Sequence, residues 1–356
     1  MKENAEGRKK GFSTIGYLPP DRLRNIPPEY HRRHEFLIYL FQQIQDLILN
    51  TQSKAIRGFD VKLSSEIDLD AFQKDPIKYA ALNLPEAKKP IIDDVCLALM
   101  GDFLAFTYTS FMAFEKRTFA PGYANLRKPL QENLLLLTWI YGDDADFFDR
   151  FLNDPPSDFK QMESDIKLRR EIFDKALKSG LSSHFEYEFV EKMIYDKSFA
   201  NGLAGPMTKA IHLFTNHKAI RTEDMNFNFI FKDPRDVDVF DQGYYGIASV
   251  YLHAYPIIYS ICSRLVEPNK NLKLWLDTVL MSCFEVIFLK KDPALFRLIE
   301  DELKDHFICM HCAKTFVFDN HNIPLFLMLE KVTCEACGEF QEFPLYWSFC
   351  RNKLES

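Results

Sequence analysis

Two pairs of closely spaced cysteines near the carboxyl end constrain this chain more than any other feature. The first is Cys309-Met-His-Cys312, and the second, 21 residues later, is Cys334-Glu-Ala-Cys337, followed by Gly338. A two-residue spacer turns the chain so that both sulfurs of a pair face one point, and four thiolates about 2.3 Å from Zn²⁺ complete a tetrahedral shell. Gly338 suits the end of such a turn, where a positive φ is often needed. The spacing predicts a structural zinc site, because four protein ligands leave no open position for catalysis.

The segment around these cysteines resembles a zinc ribbon, a small module in which two such turns cap short β-hairpins. The resemblance covers residues 307–356 and implies short strands, which we place in the apolar triplets 316–318 and 325–327. Between the cysteine pairs, Asp319-Asn320-His321 with Pro324 is similar to a string of HNH endonucleases and implies nuclease chemistry. The competing interpretation of that string is a polar turn between strands.

The rest of the chain is patterned for helices. Glycine supplies only 13 of the 356 residues and phenylalanine supplies 33, so flexible turns are few and bulky core side chains are many. From Glu29 to about Ser53 apolar residues recur at three- and four-residue steps, as on the buried face of a helix, and further helical segments follow between Ile91 and Asp305. No repeat of about 30 to 50 residues is present. The sequence predicts a mostly α fold, with a non-repetitive multi-helix domain over 27–306 and the ribbon over 307–356.

Three stretches depart from this helical pattern. Residues 1–26 hold few apolar side chains, and prolines at 19, 20, 27 and 28 interrupt regular structure in or directly after this stretch, which predicts a mobile N-terminal arm. Residues 57–90 show no sustained period and predict a long irregular excursion. The charged string from His31 to Glu35 opens the first helix, and such a string predicts a solvated face.

Polar side chains interrupt two of the predicted helices. Arg127 and Glu132 precede a run of four leucines, whereas Tyr245, Ser249 and His253 recur every four residues and so share one helix face. If the two helices pack together, Arg127, Glu132 and His253 can meet, and burial of charged groups favours such a pairing. Two interpretations stay open: a buried network that fixes helix register, and a ligand pocket in which these three are the candidate catalytic residues.

The same residues carry a resemblance to an uncharacterised bacterial all-helical family. In that family a helix with the pattern R-x4-E is followed by a later helix with the pattern Y-x3-S-x3-H. The matching strings run from Arg127 to Glu132 and from Tyr245 to His253, within the middle half of the chain. The resemblance implies an all-helical fold and no particular reaction, and the zinc ribbon is an addition to it.

Charge and cysteine usage bear on partners and location. The net charge is −7, and residues 307–356 hold six acidic against four basic side chains, so we expect no nucleic-acid partner. Eight cysteines in 356 residues are fewer than a disulfide-rich secreted protein contains, which indicates that the thiols are reduced. The N-terminus also lacks the apolar stretch of a signal peptide. Both observations favour a cytoplasmic protein. The apolar run from Val95 to Phe114 contains Asp102, so it predicts a buried helix and no membrane partner.

These features favour a non-enzymatic helical interaction or regulatory protein, whose zinc ribbon docks on the helical domain or on a protein partner, or supports self-association. The sequence holds no GxGxxG, P-loop, HExxH, GxSxG or kinase string, so it indicates no reaction. The alternative is a hydrolase or nuclease of a bacterial defence or stress system, with Arg127, Glu132 and His253 in a polar pocket of the helical domain.

Overall fold

A computed structural model describes residues 13–54, 68–154, 164–212, 238–267 and 270–344, together with residues 159 and 162. The mostly α fold predicted from the sequence is confirmed. In chain order the helices are α1 (Pro20–Leu23), α2 (His31–Lys54), α3 (Leu69–Lys74), α4 (Pro76–Asn83), α5 (Lys88–Glu115), α6 (Phe119–Arg127), α7 (Leu134–Gly142), α8 (Asp144–Asn153), α9 (Ile166–Lys178), α10 (Tyr187–Tyr195), α11 (Ala204–Lys209), α12 (Asp238–Leu265), α13 (Lys270–Phe284), α14 (Ala294–Leu303) and α15 (Ile323–Leu329). Two short strands, β1 (Lys331–Thr333) and β2 (Phe340–Glu342), pair antiparallel with Val332 opposite Gln341.

Helices α2 and α12 form the centre of the fold. They pack along each other, and α2 also lies against α5. Consecutive residues of α2, Phe36, Leu37 and Ile38, are buried, and α12 is buried almost continuously from Val239 to Tyr259. A helix that is apolar on every side needs neighbours on every side, and α12 has them in α2, α7, α10 and α13. Pro256 lies inside α12.

The predicted helix around Arg127 is divided by a wider turn. Between α6 and α7, residues Lys128–Asn133 wind as a π-helix with Pro129 at its start. Proline has no N–H to donate, so the regular hydrogen-bond ladder is interrupted here. The carbonyl of Gln131 accepts a hydrogen bond from the Tyr195 hydroxyl at 2.9 Å. A second π-helical turn, Glu285–Leu289, follows α13.

The described part of the N-terminal segment packs on the core, so the mobile arm predicted over 1–26 is wrong for residues 13–26. Ile15, Leu18, Leu23 and Ile26 are all buried there. Their spacing follows no helical or strand period, because they sit in turns around the four-residue helix α1. Residues 1–12 of the predicted arm lie outside the described residues.

A buried carboxylate holds this segment in place. Glu35 is fully buried, and its oxygens accept hydrogen bonds from four successive backbone N–H groups, Ile15 to Leu18, at 2.5–3.2 Å. The Thr14 hydroxyl donates a fifth at 2.8 Å. Gly16 has φ 88°, a conformation that lets successive N–H groups point toward one anion. Residues 14–18 therefore surround the Glu35 carboxylate with hydrogen-bond donors.

His34, the residue before Glu35, belongs to a second buried hydrogen-bond network. His34 Nε2 lies 3.1 Å from the Glu115 carboxylate, and Nδ1 lies 2.9 Å from the Tyr244 hydroxyl. The carboxylate can only accept, so Nε2 carries the ring proton and Nδ1 accepts from Tyr244. Arg22 of α1 closes the chain with an ion pair to Glu115. Burial lowers the pKa of His34. The solvated face predicted over His31 to Glu35 is thus wrong for His34 and Glu35.

The irregular excursion predicted over 57–90 is partly helical. Helices α3 and α4 occupy much of residues 68–87, and a 3-10 turn, Pro85–Ala87, leads into α5. Asp68 and Asp75 cap the two helices, because their carboxylates accept the N–H groups of Ala71 and Lys78 at 3.0 Å. Both helices are under nine residues long, too short to show a sustained period. Residues 55–67 lie outside the described residues.

Helix α5 is unusually apolar. With the preceding turn it forms the stretch Pro85–Glu115, whose most apolar 18-residue window has a mean hydropathy of 1.5. This is sufficient length and hydropathy to cross a membrane, and within the described chain no other helix reaches both. Of that window, 44% is buried inside the fold. A substantial apolar surface of α5 is therefore not covered by the described part of the chain.

Candidate metal centre

The two cysteine turns have the same backbone conformation. In each turn, the backbone N–H of the first cysteine donates a hydrogen bond to the carbonyl of the residue five positions later. The carbonyl of that cysteine accepts a hydrogen bond from the N–H of the residue four positions later. The residue at that fourth position has a positive φ in both turns, as predicted for Gly338. The equivalent bonds, all 2.8 Å long, are Cys309 N–Lys314 O with Cys334 N–Glu339 O, and Ala313 N–Cys309 O with Gly338 N–Cys334 O. The φ values are 56° at Ala313 and 77° at Gly338.

The four sulfurs converge on one point. Cys309 Sγ lies 3.7 Å from Cys337 Sγ, Cys312 Sγ lies 3.6 Å from Cys334 Sγ, and all four lie within 4.8 Å of one another. A disulfide would bring two sulfurs to about 2.05 Å. Four sulfurs arranged tetrahedrally about 2.3 Å from one ion are separated by about 3.8 Å. The cluster therefore has the geometry of a single tetrahedral metal site.

Backbone donors around the sulfurs favour the thiolate form that a metal requires. Cys334 accepts hydrogen bonds from the N–H groups of Cys337 and Ala336, and these lower the pKa of Cys334 to about 7. Cys309, in the equivalent position, also accepts the Gln341 Nε2–H at 3.4 Å. Thiolate, not thiol, is the metal-binding form. Burial and the neighbouring sulfurs instead raise the pKa of Cys312, and they raise that of Cys337 to about 12. The turns therefore favour the thiolate form at the first cysteine of each pair.

The ribbon is fixed to the helical domain by a cluster of phenylalanine rings. Phe318 lies with its ring centroid 4.7 Å from that of Phe326 and 5.2 Å from those of Phe296 and Phe307. Phe296 belongs to α14, so the contact joins the two parts of the chain. A polar tie supports it, because Arg32 of α2 donates to the carbonyl of His321 at 2.9 Å. The metal site is therefore attached to the core rather than tethered loosely.

The segment between the cysteine turns is helical where strands were predicted. Residues 325–327 belong to α15, and residues 316–318 are extended but outside any strand. Ile323, Phe326 and Leu327 are buried at i, i+3 and i+4, a helical spacing, and Pro324 stands in the first turn, where its missing N–H costs nothing. The strand predicted over residues 325–327 is therefore wrong. Three adjacent apolar residues are compatible with a strand and with a helix.

The string that is similar to HNH endonucleases forms a turn before α15. The Asp319 carboxylate accepts the backbone N–H groups of His321 at 2.8 Å and of Asn322 at 2.9 Å. Asn322 in turn accepts the N–H of Asp319 at 2.9 Å. These bonds occupy Asp319 in shaping the turn, which favours the polar-turn interpretation of this string.

The three candidate catalytic residues of the helical domain occupy different environments. Glu132 is exposed in the π-helical turn, and Arg127 Nε donates to Gln131 Oε1 at 3.2 Å. His253 is 1% exposed, and its Nδ1 lies 2.9 Å from the Ser183 hydroxyl. Within the described ranges no hydrogen bond or ion pair joins His253 to Arg127 or Glu132. The structure pairs His253 with Ser183, a residue that sequence reasoning did not single out.

The shared face of Tyr245 and His253 lies against the segment that leads into α10. The ring of Tyr245 lies 5.9 Å from that of Phe284, and the ring of His253 lies 5.7 Å from that of Phe173. The Ser183 hydroxyl accepts the N–H of Phe185 at 3.2 Å while it contacts His253. The prediction that these α12 residues share a face is consistent with these contacts, which fix the turn before α10.

Burial decides the protonation of His253. Desolvation lowers the pKa of His253 to about 4, so the imidazole is neutral near pH 7. Its Nε2 is buried and has no hydrogen-bond partner among the described residues. A general base needs its reactive nitrogen within reach of a substrate proton. An enclosed, neutral His253 is suited to packing and register rather than to proton transfer.

Comparison with known proteins gives no relative: no protein family, curated protein or solved structure matches the chain. The resemblance to the uncharacterised helical family therefore stays a prediction carried by two short strings. What the chain does has to follow from the chemistry of its own residues.

Proposed function

We propose that this chain is a helical interaction protein in which a structural Zn²⁺ ion shapes a protein-docking surface. Four thiolates in a tetrahedron form the donor set that Zn²⁺ takes in closed structural sites. A closed shell offers no position to water or substrate, so the ion contributes folding free energy and not catalysis. The four cysteines at tetrahedral spacing support this assignment.

The observation that carries the docking proposal is a set of exposed apolar side chains on the ribbon. Met310 is 84% exposed, Val317 56% and Phe340 53%, and Ile308 accompanies them. We call these four residues the outer face. Ile308 and Val317 each lie between two buried residues of the ribbon, so their side chains point away from the core.

A hydrogen bond connects the two parts of the ribbon that carry the outer face. Gln341 of β2 accepts the backbone N–H of Met310 at 3.3 Å, which places the first cysteine turn beside the strand that begins at Phe340. Ile308 pairs with Thr315 in an antiparallel bridge, which positions the extended segment that includes Val317. Methionine and aromatic side chains are enriched at protein–protein interfaces, and exposed apolar surface is often part of such sites. The zinc centre thus orders a surface with interface composition.

Charge indicates the chemistry of the partner. Residues 307–344 hold five acidic and two basic side chains, a balance of −3, and four thiolates around Zn²⁺ add a further −2. This surface repels nucleic-acid phosphates and complements basic residues. The expected partner is therefore a protein that presents an apolar patch rimmed by lysine or arginine. The charged side chains counted are Asp319, Glu330, Glu335, Glu339, Glu342, Lys314 and Lys331.

Site-specific photocrosslinking tests this proposal. A photoreactive residue at Met310 or Phe340 is expected to give a protein adduct whose crosslinked peptide is apolar and basic. The same residue at Leu177, an exposed apolar position on α9, is the matched control and should give none. Phe340→Glu should abolish the Met310 adduct, because it adds a charge to the apolar patch.

Four outcomes contradict the docking proposal. Absence of protein adducts at both ribbon positions, or adducts equally frequent at Leu177, would remove the outer face as a docking surface. Nucleic-acid adducts would contradict the charge argument. A crosslink to a second copy of the chain would replace the basic partner with self-association.

The alternative function, a hydrolase or nuclease in the helical domain, has less support. It needs Arg127, Glu132 and His253 in one pocket, whereas His253 is enclosed beside Ser183 and Glu132 is exposed.

A further inference from the structure

An apolar groove of about 600 Å³ lies between α3 and α4 on one side and α5 and α8 on the other. Phe72 of α3 and Ile77 of α4 form one wall, and Val95 and Ala98 of α5 form the other. Phe151 of α8 closes one side. Pockets that bind small organic ligands typically have volumes of about 300 to 1,000 Å³ and mostly apolar walls. The groove has the size and lining of such a pocket.

The walls of the groove are not covered by the described chain. Ile77 is 61% exposed and Phe151 is 41% exposed, although both are large apolar residues that line it. The groove also accounts for part of the uncovered apolar surface of α5, since Val95 and Ala98 lie within its apolar stretch. Exposed apolar surface of this kind marks a binding site more often than a surface without function.

Among the described residues that line the groove, Asp94 is the charged one. Asp94 of α5 is exposed in the wall, and no hydrogen bond or ion pair is described for it. Its neighbour Asp93 differs, because it pairs with Lys89 at 2.7 Å. A carboxylate beside an apolar wall favours a ligand with a positive charge and disfavours an anionic one. The groove therefore offers apolar walls for the hydrophobic part of a ligand and one carboxylate for a cationic group.

We propose that this groove binds a small hydrophobic amine, with its apolar body between α4 and α5 and its ammonium group at Asp94. A free fatty acid of the same length would place its carboxylate against that of Asp94 and bind less well. None of the helices that line the groove supplies a residue of the outer face. Amine binding is thus independent of partner docking, and either can fail without the other.

Isothermal titration calorimetry of the full chain tests the amine site. The probes are dodecylamine, dodecanol and dodecanoic acid, each below its micelle concentration. Dodecylamine should bind saturably, at least about tenfold more tightly than dodecanoic acid, because the two share the chain and differ in head charge. Asp94→Asn should reduce amine affinity by about tenfold and remove the preference over the alcohol. Asp93→Asn is the matched control and should leave the affinity unchanged.

A second variant tests the location of binding. Ala98→Trp places a large ring in the groove and should abolish binding of the amine, with circular dichroism melts confirming that the variant is folded. Equal affinity for all three probes would overturn the cation site, and undiminished binding in Ala98→Trp would place the amine elsewhere. Failure to bind soluble dodecylamine, combined with binding to neutral lipid vesicles, would make the groove a membrane contact and overturn the proposal.

Discussion

Replacement of Glu35 tests the packing of the N-terminal segment. Five donors converge on its carboxylate, and hydrogen bonds to a charged group contribute about 1.5–3 kcal/mol each. Their sum, roughly 8 to 15 kcal/mol, is as large as the whole stability of a typical domain, so the segment will detach before all of that energy is lost. Detachment exposes Ile15 and Leu18, each of which contributes about 1.5–3 kcal/mol by burial.

We therefore expect Glu35→Ala and Glu35→Gln to lower the free energy of unfolding by about 3 to 5 kcal/mol. Urea denaturation measures the loss, and hydrogen exchange should show that the amides of Ile15 to Leu18 lose protection first. Glu29→Gln, at an exposed glutamate nearby, is the control and should change stability by less than about 0.5 kcal/mol. A loss under about 1 kcal/mol in Glu35→Gln, with amide protection retained, would refute the role of the buried carboxylate.

Two further predictions concern the cysteine turns and His253. An alanine at positive φ is strained by about 1 kcal/mol. Gly338→Ala should therefore lower the melting temperature of the metal-loaded protein, and Ala313→Gly should raise it by a similar amount. Melting temperatures that shift in the same direction in both variants would contradict the equivalence of the turns. Because the folded pKa of His253 is about 4 and the unfolded value about 6.5, the unfolded chain binds more protons between these values, and the wild type should lose stability as pH falls through this window. The loss relative to His253→Gln should approach ~3 kcal/mol at pH 4 in urea titrations, and parallel pH profiles of the two proteins would contradict a buried, neutral imidazole.

Local chemistry made the helices and the cysteine cluster predictable from the sequence. The four cysteines need only a two-residue spacer and a turn residue, all of which are visible in two short strings. The long helix α2 shows its three- and four-residue apolar period in the sequence. In both cases the residues that determine the structure are close along the chain.

Interactions between distant residues were not predictable in the same way. Glu35 meets donors 17 to 21 residues away, His34 meets Glu115 over 81 residues, and Tyr244 lies 210 residues from His34. A charged string at a helix start resembles a solvated face until these partners are known. Sequence reasoning therefore assigned the most enclosed polar groups of the fold to solvent.

The π-helical turn explains why the relative facing of Arg127 and Glu132 could not be predicted from the sequence. A wider turn shifts the direction of later side chains by about 100° per extra residue, so their facing cannot be taken from a 3.6-residue period. Pro129 was the visible signal of an interruption. The direction of Glu132 after that interruption depends on tertiary packing.

Metal analysis combined with one cysteine variant tests the central claim most directly. Purified protein should carry one Zn²⁺ per chain by mass spectrometric metal analysis, because four thiolates at tetrahedral spacing match that ion. Cys334→Ser should lose the zinc and the amide protection of residues 307–344, while α2 and α12 stay protected. Protein without stoichiometric metal, protein with iron in place of zinc, or a Cys334→Ser variant that keeps both zinc and ribbon protection would contradict a structural zinc site.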